Sequence, residues 1–268
     1  MGVNRRKWDE SVPLHVASKE YDVPAFLRGR STLQRLELQD VGPVRGKSLL
    51  HLQCHFGLDT LSWARRGARV TGVDFSLPAI KAARRLARQL GMKAQFVQSN
   101  IYDLAEVFDR KFDIVYTGQG ALCWLPDIEG WARVVSRFLK PGGRFYLLED
   151  HPLADVFVNE SATTRLELKV PYFGKQALRE EYNGTYATTE KMRSRVTYSW
   201  IHPVSEILTS LIDRGLVIES VREYPFTFWK RFSFMTRDRQ GWWHLKDHDG
   251  LVPLMWSVRA RRALAATT

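Results

Sequence analysis

Cysteine is nearly absent: Cys54 and Cys123 are the only two in 268 residues. Two are too few for a disulfide framework, and neither stands at metal-ligand spacing from a Cys or His pair, so reduced thiols and no metal centre are expected. Long apolar runs are also missing. No stretch approaches the roughly 18 apolar residues that suggest a membrane span, and the opening "MGVNRRKWDE" lacks the apolar core and cleavage site of a secretory signal. A cytoplasmic protein without a membrane partner is the expectation. Acidic residues are outnumbered 29 to 40 by Lys and Arg, a formal charge of +11. Such an excess can serve nucleic acid, but here it is scattered through "NRRK", "ARRGAR", "KAARRLAR", "KMRSR" and "RARR". "IKAARRLARQL" already reads as an amphipathic helix with its basic face in water, so nucleic acid is not the favoured partner.

From residue 47 onward, short apolar runs alternate with helical patterns. "KSLLHLQ" (47–53), "ARVTGVDF" (68–75), "KAQFVQSN" (93–100), "FDIVYTG" (112–118) and "RFYLLED" (144–150) read as strands. Between them, "LDTLSWARRG", "SLPAIKAARRLARQLG" and "LPDIEGWARVVSRFLKPGG" read as helices closed by glycine or proline. This order demands parallel strands joined by crossover helices, an α/β doubly wound sheet. Residues 1–46 stand outside it as two short helical segments, "ESVPLHVASKEYDVPAFLRG" and "STLQRLELQDVG", suited to a lid over the sheet's carboxyl edge. The core is placed at 47–152, and a substrate-cap insertion with weak strand patterns "RLELKVPYF" and "SRVTYSW" at 153–199. The end of the sheet follows at 200–268, with helix "HPVSEILTSLIDRG", strand "LVIESVREYP", an aromatic insertion at 225–249 and a last strand "PLMWSVRARR".

Ligands of such sheets bind at the carboxyl ends of the strands. The first of these, "HLQCHFGLDT", has one glycine where a nucleotide loop usually has several. Asp74 ends the second strand, where a carboxylate accepts from ribose hydroxyls; capping the next helix is its other use. Asn100 can meet an adenine edge, and Asp103 serves there or as a helix cap. Thr117, Gly118, Gln119 and Gly120 turn at the centre of the sheet, where glycine permits close approach of a ligand. Trp124 is either core or pocket wall.

Four stretches, "LLHLQCHFGLDT", "VTGVDFS", "FDIVYTGQGALCWLPD" and "LKPGGRFYLLE", together resemble the class I S-adenosylmethionine-dependent methyltransferases. Within them the chain is similar to the small-molecule type 11 branch, which includes the ubiquinone and menaquinone biosynthesis methyltransferases. The resemblance runs from about residue 47 to 151 and more weakly to the end. It implies a Rossmann-like seven-stranded sheet, order 3-2-1-4-5-7-6 with the seventh strand antiparallel. It also implies S-adenosyl-L-methionine as cofactor and S-adenosyl-L-homocysteine as product. Gln53, Cys54, His55, Gly57, Asp74, Phe75, Ser76, Asn100, Ile101, Thr117, Gly118 and Gln119 become the cofactor-binding residues: Asp74 for the ribose, Asn100 and Ile101 for the adenine, Gln119 and the first loop for the methionine part. The family's first motif is an acidic residue, an apolar residue and Gly-x-Gly-x-Gly; here those places read His51, Gln53, His55 and Gly57. A pyrophosphate needs backbone approach at several glycines, so a nicotinamide dinucleotide is disfavoured, whereas a phosphate-free nucleoside is not.

A methylsulfonium is an activated electrophile, and the protein mainly has to align a nucleophile and exclude water. Where the acceptor loses a proton, a base helps. His151, beyond the fifth strand, is the first candidate and Tyr21 in the lid the second. The acceptor pocket is expected from Tyr21, Trp124, Glu149, His151, His202 and Trp229, with Asp150 nearby; Trp229, Trp242 and Trp243 form either an aromatic wall for a flat substrate or, as aromatic clusters in insertions more often do, a satellite core. The expected activity is methyl transfer to O, N or electron-rich C of a small metabolite, aromatic ones included, by a monomer or homodimer. An RNA or DNA methyltransferase and a non-catalytic cofactor-binding protein are the alternatives.

Overall fold

Strand β1 (Ser48–Leu52) alternates Leu49, which packs on one side of the sheet, with Leu50 and Leu52, which pack on the other. Apolar residues on both faces identify a central strand, and the computed structural model, which describes residues 2–158, 162–247 and 249–264, places it so. The outermost ends of the expected lid and final segment, Met1 and 265–268, lie outside the described residues. The other core strands are β2 (Arg69–Asp74), β3 (Gln95–Gln98), β4 (Phe112–Thr117), β5 (Leu139–Asp150), β8 (Leu216–Tyr224) and β12 (Met255–Arg262). Their order is β3-β2-β1-β4-β5-β12-β8, with β12 antiparallel to both neighbours. In core-strand numbering this is the expected 3-2-1-4-5-7-6.

Helices α4 (Leu58–Arg65) and α5 (Leu77–Gln89) cover one face, with α1 (Gly2–Ala17), α2 (Val23–Leu27) and α3 (Arg35–Val41) beside them. Helices α6 (Leu104–Val107), α7 (Ile128–Phe138) and α8 (Val204–Asp213) cover the other. The starts follow capping chemistry: Ser76 accepts from Ala79 N at 3.2 Å to open α5, and Asp127 from Gly130 N at 2.7 Å to open α7. Helix α7 ends at Phe138, short of the expected "LKPGG", because a residue before proline is driven out of the helical region. Leu139 instead pairs with Phe112 and begins β5.

Two other expectations are corrected, and one open choice is decided. The arm's first helix begins at Gly2, eight residues before Glu10, and runs through Pro13. "RLELKVPYF" forms only an isolated bridge, Leu168 with Phe157. The insertion's hairpin is instead β6 (Leu178–Glu181) against β7 (Val196–Ser199), and the charged "LREE" of β6 gave no alternating pattern to read. The aromatic insertion folds as a small sheet of β9 (Phe226–Thr227), β10 (Met235–Arg237) and β11 (Trp243–Leu245). Trp242 packs on Phe226 and Trp243 joins the cluster of Phe232, Met235 and Leu245, so these two tryptophans are satellite core rather than a substrate wall.

Gly57 opens α4 with φ 82°, and a Cβ there would lie 2.6 Å from Phe96 Cε1. Gly57→Ala is expected to cost about 2–4 kcal/mol, from left-handed strain and overpacking together. Gly120→Ala, with φ 70° and no atom within 4 Å of the new Cβ, has only the strain. Urea denaturation of both variants checks this; equal losses would contradict it.

Candidate functional site

The strand registers set Leu52 beside Val73 and Thr117, which brings Gln53, Asp74 and Gly118 to one level of the carboxyl edge. In the loop after β1, Gln53 (φ 56°), His55 (φ 50°) and Gly57 (φ 82°) are left-handed. The backbone therefore adopts a glycine-loop conformation at two places occupied by side chains, at roughly 1–2 kcal/mol each. Four hydrogen bonds hold it: Cys54 N to Val73 O at 2.8 Å, His55 N to Asp74 Oδ2 at 2.8 Å, Gly57 N to Cys54 O at 2.9 Å, and Gln53 Nε2 to Ala121 O at 2.9 Å.

Asp74 is 7% exposed, and its second oxygen accepts from Ser76 N at 2.9 Å. Burial pushes its carboxyl up to about 6, while the Ser76 and His55 amides pull the other way. Beside it, Asn100 caps Tyr102 N at 3.3 Å and remains half-buried. The turn after β4 is fixed from the opposite side by Glu149, which accepts from Gly120 N at 2.5 Å, Ala121 N at 2.7 Å, Leu122 N at 2.9 Å and Asp150 N at 2.8 Å.

Helix α1 lies over this edge. It is fastened to the insertion: Asn4 exchanges hydrogen bonds with the Tyr198 backbone at 2.7 and 2.9 Å, and Lys7 Nζ donates to Gly184 O at 2.7 Å. Glu10 accepts from Arg193 N at 2.6 Å and Ser194 N at 2.9 Å. The same buried face carries Trp8 and His15, seven residues apart. The Trp8 ring meets His55 and Trp124, each at 5.4 Å between centroids. His15 packs on Tyr21 at 5.3 Å and Tyr186 at 4.9 Å, and its Nδ1 lies 3.4 Å from His55 Nε2. Tyr21 and Tyr186 share a hydrogen bond between their hydroxyls.

Burial, helped by Lys7, lowers the His15 imidazole to about 4; burial and then His15 hold His55 well below its ordinary value. His51, in the motif's acidic place, is buried, bonded to Thr60 Oγ1 at 2.8 Å, and lowered by burial to about 3. Both histidines over the loop and the one beneath it are thus neutral at physiological pH.

Asp9 Oδ1, His15 Nε2, Gln53 Oε1 and Thr117 Oγ1 are buried here without a hydrogen-bond partner among the described residues. Unmet polar atoms at one edge are what a polar ligand would satisfy. A carboxylate, an amide oxygen, an imidazole and a hydroxyl suit hydroxyl and amino groups better than phosphates, so the donor set fits a phosphate-free nucleoside with an amino-acid tail.

The structure brings Gln53, His55, Asp74, Phe75, Asn100, Thr117, Gly118 and Gln119 to this edge, with Tyr21 and Trp124 above it. Other expected residues are diverted. Cys54 packs in the core beneath, Ile101 is buried in the main core, and the Ser76 hydroxyl is used by the α5 cap, which leaves these three only their backbones to offer. His151 is corrected as the candidate base: Nδ1 accepts from Leu153 N at 3.1 Å and Nε2 donates to Glu223 Oε1 at 2.8 Å, so no ring nitrogen is free. The Trp229 indole donates to Asp150 Oδ2 at 2.9 Å beside the buried Arg231. His202 donates to Leu125 O at 2.7 Å. It lines, with Glu149, Asp150, Cys123 and Trp256, a cavity of ≈ 30 Å³, room for a water and too small for a metabolite.

Trp8, Asp9, His15 and Tyr186 were missed by sequence reading. Trp8, Val12 and His15 have helical spacing, and extending the arm's first helix back to Gly2 would have shown them on one face.

Residues 50–147 match the methyltransferase domain family. The chain is 33% identical over 132 residues to the ubiquinone biosynthesis O-methyltransferase of Alkalilimnicola ehrlichii, a match covering 48% of this chain and 53% of that protein. It is 25% identical over 206 residues to the Yersinia pestis enzyme of the same name, covering 75% and 78%. The chain thus spans about half the length of the first curated relatives it matches. Among solved structures, a putative S-adenosylmethionine-dependent methyltransferase from Listeria monocytogenes superposes with TM-score 0.60 at 19% identity, covering 84% of this chain and 94% of that one. One from Mesorhizobium loti gives 0.59 at 22%, covering 88% and 100%. These two share the fold.

An imidazole whose folded-state pKa lies below its unfolded value stabilises the fold above the unfolded pKa, and that stability is lost as pH falls. For His15 the window runs from 6.5 down to about 4. Protection factors of the amides in residues 2–30, corrected for the intrinsic pH dependence of exchange, are therefore expected to fall between about pH 7.5 and pH 5, ahead of those in the core strands. Equal protection at both pH values would contradict a lid seated on a neutral His15.

Proposed function

We propose that this chain, whose residues 50–147 are a methyltransferase domain of the class I S-adenosylmethionine-dependent type, transfers a methyl group to an oxygen, nitrogen or electron-rich carbon of a small acceptor. The observation that carries the reading is the first loop: a backbone with the left-handed turns of a glycine loop, tied to a buried Asp74, yet carrying Gln and His where a pyrophosphate would need bare backbone. S-adenosylmethionine supplies the electrophilic methyl group when bound. Asp74 accepts from its ribose hydroxyls, Phe75, Asn100 and the backbone of Ile101 face the adenine, and Gln53, Thr117, Gly118 and Gln119 take the methionine part. Gln53 Oε1 and Thr117 Oγ1, both without partners, support that assignment.

The acceptor is placed between the lid and the turn after β4, against Trp8, Tyr21 and Trp124. The concentration of aromatic rings there favours an aromatic acceptor, and the relatives named as O-methyltransferases make a hydroxyl the first group to try. Helix α1 and the β6–β7 hairpin exclude water, which strengthens each electrostatic contact inside. The +11 charge favours a nucleic-acid acceptor as second reading. Filter binding to RNA and DNA decides that point, because phosphate-driven binding must fall steeply with salt.

Isothermal titration with S-adenosylmethionine and S-adenosylhomocysteine tests the cofactor. Both are expected to bind, and Asp74→Ala is expected to weaken them at least about tenfold, roughly 1.4 kcal/mol. Absence of binding by the unaltered protein would sink the reading; unchanged affinity in the variant would place the ribose elsewhere.

A further inference from the structure

His55 stands where a glycine would relieve the loop of left-handed strain, and a strained residue at a site is a pointer to a task for its side chain. Its main-chain task, the bond from His55 N to Asp74, needs no side chain at all. Its ring instead reaches up to the lid, packed on Trp8 at 5.4 Å, Phe56 at 4.6 Å and Tyr21 at 5.5 Å, with Nε2 3.4 Å from His15 Nδ1. His15 is 1% exposed, and its other nitrogen, Nε2, has no partner.

We propose that His15 is the proton acceptor of the methyl transfer and that His55 positions it, the two halves of the dyad meeting only when α1 is seated on the loop. The proposal rests on the methyltransferase reading and names within it the residue that takes the acceptor's proton. With Nδ1–H of His15 donating to His55 Nε2, the lone pair on His15 Nε2 is left as a base. The acceptor's O–H or N–H bond gives its proton to that nitrogen. The oxygen or nitrogen pair forms the bond to the methyl carbon, and the carbon–sulfur pair stays on sulfur. His15 becomes an imidazolium and releases the proton to water when the lid opens. The charged and titratable groups facing it are Lys7 on its own helix, Tyr21 in the following turn, His55 on the loop and Tyr186 on the insertion. Only Lys7 is charged at neutral pH, and together with burial it keeps His15 unprotonated, ready to accept.

Histidine labelled with nitrogen-15, followed by imidazole NMR in the free and S-adenosylhomocysteine-loaded full chain, tests this. The expected spectrum has His15 in the Nδ1–H tautomer with a bare Nε2, titrating far below the ordinary 6.5. In His55→Gly, which places a residue suited to the left-handed backbone at this position, that tautomer preference is expected to be lost. With catechol or benzylamine as acceptor, whichever the unaltered protein methylates, His15→Ala is expected to lower kcat roughly 10²–10⁴-fold. Added imidazole should recover part of it. An Nε2–H tautomer of His15, or full turnover in either variant, overturns the dyad alone. Failure of the unaltered protein to bind S-adenosylhomocysteine removes the cofactor reading and the dyad with it.

Discussion

The buried carboxylate of Asp74 is the anchor of the whole edge. One oxygen holds His55 N and the other holds Ser76 N, so a single side chain ties the loop after β1 to the start of α5. A carboxylate with two amide bonds is a strong fixed point, and it offsets the left-handed conformations that Gln53 and His55 must adopt. Once the loop is set, Gln53 reaches across to Ala121 and steadies the turn after β4. His55 then presents its ring upward, and the lid has something to close on.

A second set of carboxylates does the same work on the far side. Glu149 gathers four backbone amides, three of them in the turn at 120–122, and Asp150 turns away to Trp229 and Arg231. Two neighbouring residues of β5 thus serve two purposes, one shaping the site and one binding the aromatic insertion to the sheet. The lid itself is composite. Asn4, Lys7 and Glu10 hold main-chain groups of the insertion, so α1 and the β6–β7 hairpin form one packed unit although nearly two hundred positions of chain separate them. Neutral histidines suit such a seam, because a charged ring enclosed between Trp8, Tyr21 and Tyr186 would be costly.

The sheet was legible because its strands carry the signals of buried parallel strands and its helices carry their own caps, such as Ser76 and Asp127. Asp74 was legible too, from its place at the end of β2. What could not be read was direction. His151 follows the right strand, yet Leu153 N claims one nitrogen and Glu223, from a strand seventy residues on, claims the other. The helical spacing of Trp8, Val12 and His15 marks a shared face but not what it meets: His55 and Tyr186 come from distant segments, and only the fold brings them to His15. The single glycine of "HLQCHFGLDT" argued against a pyrophosphate from the sequence, but that Gln53 and His55 would nonetheless keep the left-handed turns of a glycine loop could not be read there.

The central claim is that this loop holds a nucleoside without phosphates. Equilibrium dialysis of the full chain with S-adenosylhomocysteine and, separately, with NAD tests it most directly, since both offer an adenosine to Asp74 and only one brings a pyrophosphate to Gln53 and His55. Binding of S-adenosylhomocysteine with none of NAD at the same concentrations is the expected result. Comparable or tighter binding of NAD would contradict it.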